Sequence, residues 1–361
     1  MTARRTDGPT AGLLLVLLAA GCGGTSAPQS VGPSVRPSVQ PEPGEHHLQN
    51  IRQLTFGGNN AEAYFSKSGR QLIFQRQDKV GEGCDQQYVI NIDGSGLRRV
   101  SNGQGRTTCG YFYDNDRRVL YSSSFKHNPA CPEPPDHSRG YVWPLGHLEI
   151  YTARADGSDL QQLTDNGAYN AESTVSPDGT RIIFTSTRDW DIELYVMDVD
   201  GRNVRRITHR VGYDGGAFYS PDGTRIVWRA AYPATPRDTA DYLGLLEARL
   251  VRPARTEVWV ADADGSNPRQ ITKLGGANFA PFFHPDGRRI IFSSNWESPR
   301  SGAFDLYLIN EDGTGLEKVT THKDFDSFPM FSPDGKKLVW ASNRNPKSPG
   351  ETNIFIAEWV N

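Results

Sequence analysis

Ser176-Pro177-Asp178-Gly179-Thr180-Arg181-Ile182-Ile183-Phe184, then Tyr195-Val196-Met197, then Asp200-Gly201 and Val204-Arg205-Arg206-Ile207-Thr208, is the stretch that decides the fold. Pro177 presets φ, Asp178 can bond its own backbone and Gly179 can take φ > 0, so Ser176 to Gly179 is a tight turn. Ile182 to Phe184 then reads as a buried strand and Tyr195 to Met197 as a second. Asp200-Gly201 turns the chain again into a third strand, Val204 to Ile207. The phrase recurs. Ser220-Pro221-Asp222-Gly223, His284-Pro285-Asp286-Gly287 and Ser332-Pro333-Asp334-Gly335 each precede a short apolar run. The second half recurs as Asp93-Gly94, Asp156-Gly157, Asp264-Gly265 and Asp312-Gly313, and units close on an aliphatic residue and a hydroxyl, such as Leu163-Thr164 or Ile271-Thr272. A period of roughly 40–50 residues with about four strands per unit is the mark of a β-propeller.

Counting units gives six. Leu48 to Thr55 is an orphan closing strand at the start, and the last unit, ending at Ile354 to Val360, lacks one. The expected fold is therefore all-β, a six-bladed β-propeller whose N-terminal strand completes the last blade and removes the open sheet edges. Blade 2 carries a divergent turn, Asp114 to Arg117, and an insertion of about 124–147. Blade 4 carries an insertion of about 230–255, in which Asp241 to Leu250 has helical apolar spacing behind an Asp cap.

These repeats resemble the TolB-type, WD-like propeller repeat of bacterial periplasmic proteins, over almost everything from Leu48 to the end. The resemblance implies the fold; because the repeated phrase is turn chemistry, it implies no particular function. The N-terminus is similar to that of bacterial lipoproteins. Arg4 and Arg5, the apolar run Leu13 to Ala20, and the lipobox-like Leu18-Ala19-Ala20-Gly21-Cys22 imply a signal peptide over 1–21 and lipidation at Cys22. Residues 22–47, rich in Gly, Ser, Pro and Gln, are expected to be a disordered tether, with the propeller over 48–361.

The 361-residue chain has a formal charge of −3 and no strongly basic patch, which argues against nucleic acid as a partner. Connections between blades share a register. Six residues before the serine of each turn, or its equivalent, lie Asn60, Thr108, Asn170, Asp214, Asn278 and Asp326, with Glu62 and Glu172 two residues on. One reading rings the channel mouth with these residues, forming a polar, acidic site for a peptide, a basic group or a cation. The other has Asn and Asp satisfying backbone groups in the crossing connections. Tyr141, Trp143, Tyr213 and Phe279 are candidate apolar anchors there. Arg76, Arg188, Arg229 and Arg344 are placed to pair with Glu149, Glu193, Glu257 or Asp305. Beyond Cys22, an exported context favours one disulfide among Cys84, Cys109 and Cys131.

No metal-ligand spacing, cofactor motif, phosphate loop or Gly-x-Ser-x-Gly elbow is present, so no catalytic residue, metal or cofactor is assigned. The expectation is a monomeric, lipid-anchored, non-catalytic module of the bacterial envelope that binds an envelope protein or peptide at the mouth. The alternative is a glycan- or peptide-active hydrolase or lyase with its site in the same place.

Overall fold

A computed structural model describes residues 38–133 and 137–361. Six blades surround one axis. Their inner strands are Asn59–Phe65, Thr107–Tyr113, Asn170–Val175, Tyr213–Tyr219, Asn278–Phe283 and Asp326–Phe331, for blades 1 to 6 in order. From each, three further antiparallel strands step outward to a short outermost one. In blade 6 the fourth place is taken by Leu48–Gln53, which pairs with Asn353–Trp359 in the register Arg52 with Ile356 and Gln53 with Phe355. The ring is closed by its own N-terminal strand.

The repeated sequence phrases have one physical cause each. In the Pro-Asp-Gly turn of blade 3, the Asp178 carboxylate accepts from the Thr180 amide (3.0 Å) and from the Ser176 hydroxyl (2.5 Å), and Ser176 Oγ accepts from the Arg181 amide (3.0 Å). The closing hydroxyl accepts from an amide of its blade's third strand at 2.8–3.0 Å in all six blades: Ser101 from Gln87, Thr164 from Ile150, Thr208 from Leu194, Thr272 from Val258, Thr320 from Leu306 and Thr55 from Ile354. The last of these is the same bond made across the closure. The Asp-Gly turns abut the preceding blade. A Cβ on Gly265, whose φ is +89°, would stand 2.2 Å from the Ile207 carbonyl oxygen, so only glycine fits.

Packing repeats as well. Each second strand sets an aromatic ring opposite one on the third: Phe74 with Tyr88, Tyr121 with Tyr151, Phe184 with Tyr195, Trp228 with Trp259, Phe292 with Tyr307 and Trp340 with Phe355. Their centroids lie 5.8–6.5 Å apart. Cross-strand aromatic pairs of this kind contribute about 0.5–1 kcal/mol each beyond their buried area.

Two expectations need correction. The signal peptide, Cys22 and the first part of the tether lie outside the described residues. The tether does not extend to residue 47, because Ser38–Val39 adds a fifth strand against Leu48–Gln53 and Glu45 is buried in an ion triad. Arg344 donates to Glu45 (2.8 Å) and to Asp326 (2.7 Å), which bolts this segment to blade 6. The insertion helix is Pro236–Glu247 and starts earlier than Asp241. Thr235 is the cap, accepting from the Asp238 amide (3.1 Å), with Pro236 at the first helical position, where its missing N–H costs nothing.

A candidate binding funnel at the crossing end

Each inner strand begins at the end of the ring where one blade crosses to the next. There the backbone amides of Asn60, Asn170, Asp214, Asn278 and Asp326 donate to carbonyls of the preceding blade, for instance Asp214 to Ile192 O at 3.0 Å. The side chains of Asn278 and Asn60 do the same, while Asn170 Oδ1 and Asp326 Oδ1 accept from the second strand of their own blades. Asn278 Nδ2 donates to Thr256 O (2.8 Å) and Asn60 Nδ2 to Thr352 O (2.7 Å). Asn170 Oδ1 accepts from Ser186 (2.7 Å), and Asp326 Oδ1 from Trp340 Nε1 (3.0 Å). All five are fully buried in the blade crossings. They are staples between blades, and they do not ring the channel. In blade 2 the equivalent residue is Thr107, whose amide donates to Asp85 O, one position before the Thr108 expected from the turn.

The channel is lined by the residues two positions further on. Every inner strand carries a β-bulge after its first residues. The bulged residues are Glu62, Cys109, Glu172, Gly216, Ala280 and Phe328, all with φ between +50° and +65°. A bulge re-aims one side chain, and here six bulges aim one residue per blade at the axis. Glu62 and Glu172 were legible as additions to the register. Cys109 was hidden by the one-residue offset of blade 2, and Ala280 and Phe328 by being apolar.

Below this layer the axis is blocked. Tyr64 of blade 1 meets Phe218 of blade 4, its opposite across the ring, with centroids 5.3 Å apart; Tyr111 and Phe282 pack on the same rings. The channel is a blind funnel, and the cavity at its narrowest level holds about 20 Å³, room for one water molecule.

Its walls differ. Glu172 is ion-paired with Arg229, a buried pair that Tyr213 completes by accepting from Arg229 Nε at 2.8 Å. Gly215 and Gly216 leave the space, since a Cβ on Gly216 would lie 2.2 Å from the Arg229 guanidinium. Glu62 has no such partner. Burial pushes its carboxyl up to about 7, with Glu172 adding to the rise and a bond to the Cys109 thiol opposing it. Burial likewise holds the Cys109 thiol well above its ordinary range. The far wall, Ala280, Phe328 and the adjoining Phe279, is apolar, and Phe279 packs on Phe304 and Phe328.

The two insertions meet over blades 2 to 4. Trp143–Pro144 pairs with Leu250–Val251, and Leu145, Val251, Tyr213 and Ile192 form a shared core under this cap. The Trp143 ring lies 5.5 Å from the Arg229 guanidinium, so the cap reaches the funnel wall. Cys84 and Cys131 are disulfide-bonded, which ties the blade 2 insertion to blade 1; Cys109 is free. The expected arginine pairings are replaced: Arg206 takes Glu193, Lys318 takes Asp305, and Glu149 and Glu257 hold loop amides at Gly167 and Gly275.

A closed six-bladed ring with a capped, blind funnel defines the class of the protein as a β-propeller. The TolB beta propeller domain family matches residues 142–234 and 250–358, more than half of the chain, and the chain belongs to that family. A TolB homolog of Chlorobium luteolum is 25% identical over 162 residues, 45% of this chain and 32% of that protein, so the match spans about a third of the relative's length. Among solved structures, a TolB-type protein of Agrobacterium tumefaciens superposes with a TM-score of 0.56 at 19% identity, over 84% of this chain and 91% of that one. The TolB of Acinetobacter baumannii gives 0.54 at 16% identity, over 83% and 63%. A gluconolactonase of Xanthomonas campestris also reaches 0.56, at 14% identity, over 90% and 99%. Enzymes and TolB proteins thus share the fold, and the fold alone assigns no reaction.

Proposed function

We propose that this is an exported, lipid-anchored binding module of the bacterial envelope, monomeric and non-catalytic, that docks a protein segment on its crossing end. The observation that supports it most is Trp190. It is 90% exposed and sits at φ +67°, a conformation that costs a bulky residue energy and that nothing in the packing repays. It is not alone. The Tyr242 hydroxyl lies within hydrogen-bond reach of both Asp191 Oδ1 and Gly212 O, each at 2.5 Å. The immediate chain neighbours of those three residues are Trp190, Val211 and Leu243, all exposed apolar side chains. One hydroxyl therefore ties together the three segments that carry them, and the exposed Tyr141 sits on the cap itself.

A tryptophan in such a patch is the residue type that carries interface energy. The test is capture from a solubilised envelope extract. Wild type is expected to retain a protein that Trp190→Ala releases at least tenfold more readily, with unchanged melting temperature. Equal retention by the variant rejects the docking surface. Turnover of a glycan or peptide panel that vanishes in a Glu62→Gln variant would instead favour an enzyme.

A further inference from the structure

Two polar atoms at the narrowest level of the funnel have no hydrogen-bond partner among the described residues: Glu62 Oε2 and Ser173 Oγ. Both residues line the same cavity, and Ser173 is only 1% exposed. Burying a carboxylate oxygen and a hydroxyl without partners is costly, so sites of this kind are completed by something that donates. Glu172 is already spent on Arg229, which leaves Glu62 as the acid in search of a charge.

The space selects what can complete it. About 20 Å³ admits a group the size of one water molecule, which is the size of a primary ammonium. An ammonium has three donors and no acceptor, and so matches an acceptor pair of carboxylate and hydroxyl. The remaining lining is Cys109, Thr174, Gly216 and the Glu172–Arg229 pair on one side and Ala280 and Phe328 on the other, over a floor of Tyr64 and Phe218; Ala280 and Phe328 give a methylene stem its apolar wall. A main-chain amino terminus other than glycine's is attached to a branched carbon, which keeps its nitrogen out of so narrow a place. We propose that the funnel is a receptor for the side-chain ammonium of a lysine carried by the docked segment, with Glu62 and Ser173 as its acceptors. This rests on the reading of the crossing end as a docking surface and names the residue the surface takes in.

The other titratable groups around Glu62 are Cys109 from blade 2, Glu172 from blade 3, Arg229 from blade 4, Asp85 from the blade 1 connection and Tyr64 below. An ammonium is held only by the ionised form of Glu62, so affinity is lost as pH falls through the carboxyl's titration near 7.

The experiment uses n-pentylammonium as the lysine head and stem, with n-pentanol and alaninamide as controls, and follows binding to the intact protein by NMR and calorimetry. The expected result is saturable binding of n-pentylammonium, at least about tenfold tighter than either control, weakening about tenfold per pH unit below 7. Glu62→Gln should lose at least about tenfold in affinity and lose the pH dependence. Equal binding of n-pentanol, no saturable n-pentylammonium binding in wild type, or full affinity in Glu62→Gln would each overturn the proposal. The first two readings need no variant. Partner capture by Trp190 is scored separately, so a failed amine site with intact capture leaves the docking surface standing.

Discussion

Asp214→Asn should make the protein more stable, and more so as pH rises. Asp214 is fully buried where blade 3 crosses to blade 4. Its Oδ1 accepts from Trp228 Nε1 and from the Tyr232 hydroxyl, both at 2.6 Å, while Oδ2 has no partner among the described residues. Burial pushes its carboxyl up to about 8. The sign follows from linkage. A carboxyl raised in the folded state is protonated there while the unfolded chain ionises, so its contribution is intact below pH 4 and is lost as pH climbs through about 8. Each unit corresponds to about 1.4 kcal/mol, so between its ordinary 3.8 and pH 7 the wild type forfeits about 4 kcal/mol that a neutral amide would keep. Asparagine is compatible with the place, because Asn60, Asn170 and Asn278 occupy it in blades 1, 3 and 5. Its Nδ2 can donate to Ile192 O as Asn60 Nδ2 donates to Thr352 O. Denaturant unfolding at pH 4, 5.5 and 7 should show the two proteins equal at the lowest pH and the variant ahead by about 4 kcal/mol at the highest, a rise of roughly 6–8 °C in Tm. Parallel pH profiles, or a variant that is weaker at pH 7, would refute the argument that this carboxyl is buried neutral.

Other consequences are equally open to measurement. Gly265→Ala should cost about 3 kcal/mol or more in denaturant unfolding, because φ is +89° and the new methyl meets the Ile207 carbonyl; Gly179→Ala, at φ +76° with nothing within 4 Å, should cost only about 1 kcal/mol. Glu45→Ala should cost about 3 kcal/mol, since Arg344 loses one of two buried partners and the N-terminal strand loses its bolt. Its hydrogen exchange should rise first at Leu48–Gln53. The Cys109 thiol, buried and raised, should resist a thiol reagent at pH 8 in the folded protein and react in denaturant.

The architecture was readable because its cues are local. The turn residues, the Asp-Gly glycines and the closing hydroxyls each solve a short-range problem, and six copies of one solution reveal a ring. Closure was legible from an orphan strand at one end and a missing one at the other. The funnel was harder. Asn60, Asn170, Asp214, Asn278 and Asp326 form the visible polar register, and burial in the crossings explains them entirely. The residues that face the axis are set by bulges, which leave no composition signal: Gly216, Ala280 and Phe328 look like strand interior. Blade 2 added a second obstacle. Its turn begins one residue earlier than the Asp114 phrase suggests, so Cys109 fell out of line with Glu62 and Glu172. Nor could spacing show that Trp143–Pro144 and Leu250–Val251 pair, since the two insertions are distant in sequence and meet only when blades 2 and 4 flank blade 3.

Hydrogen exchange of the captured complex tests the central claim most directly. With the retained partner bound, protection is expected in 188–192, 209–213 and 232–251, the stretches that hold Trp190, Val211, Leu243 and the cap. Protection confined to the opposite end, around the Pro-Asp-Gly turns at 177–179, 221–223, 285–287 and 333–335, would contradict the account.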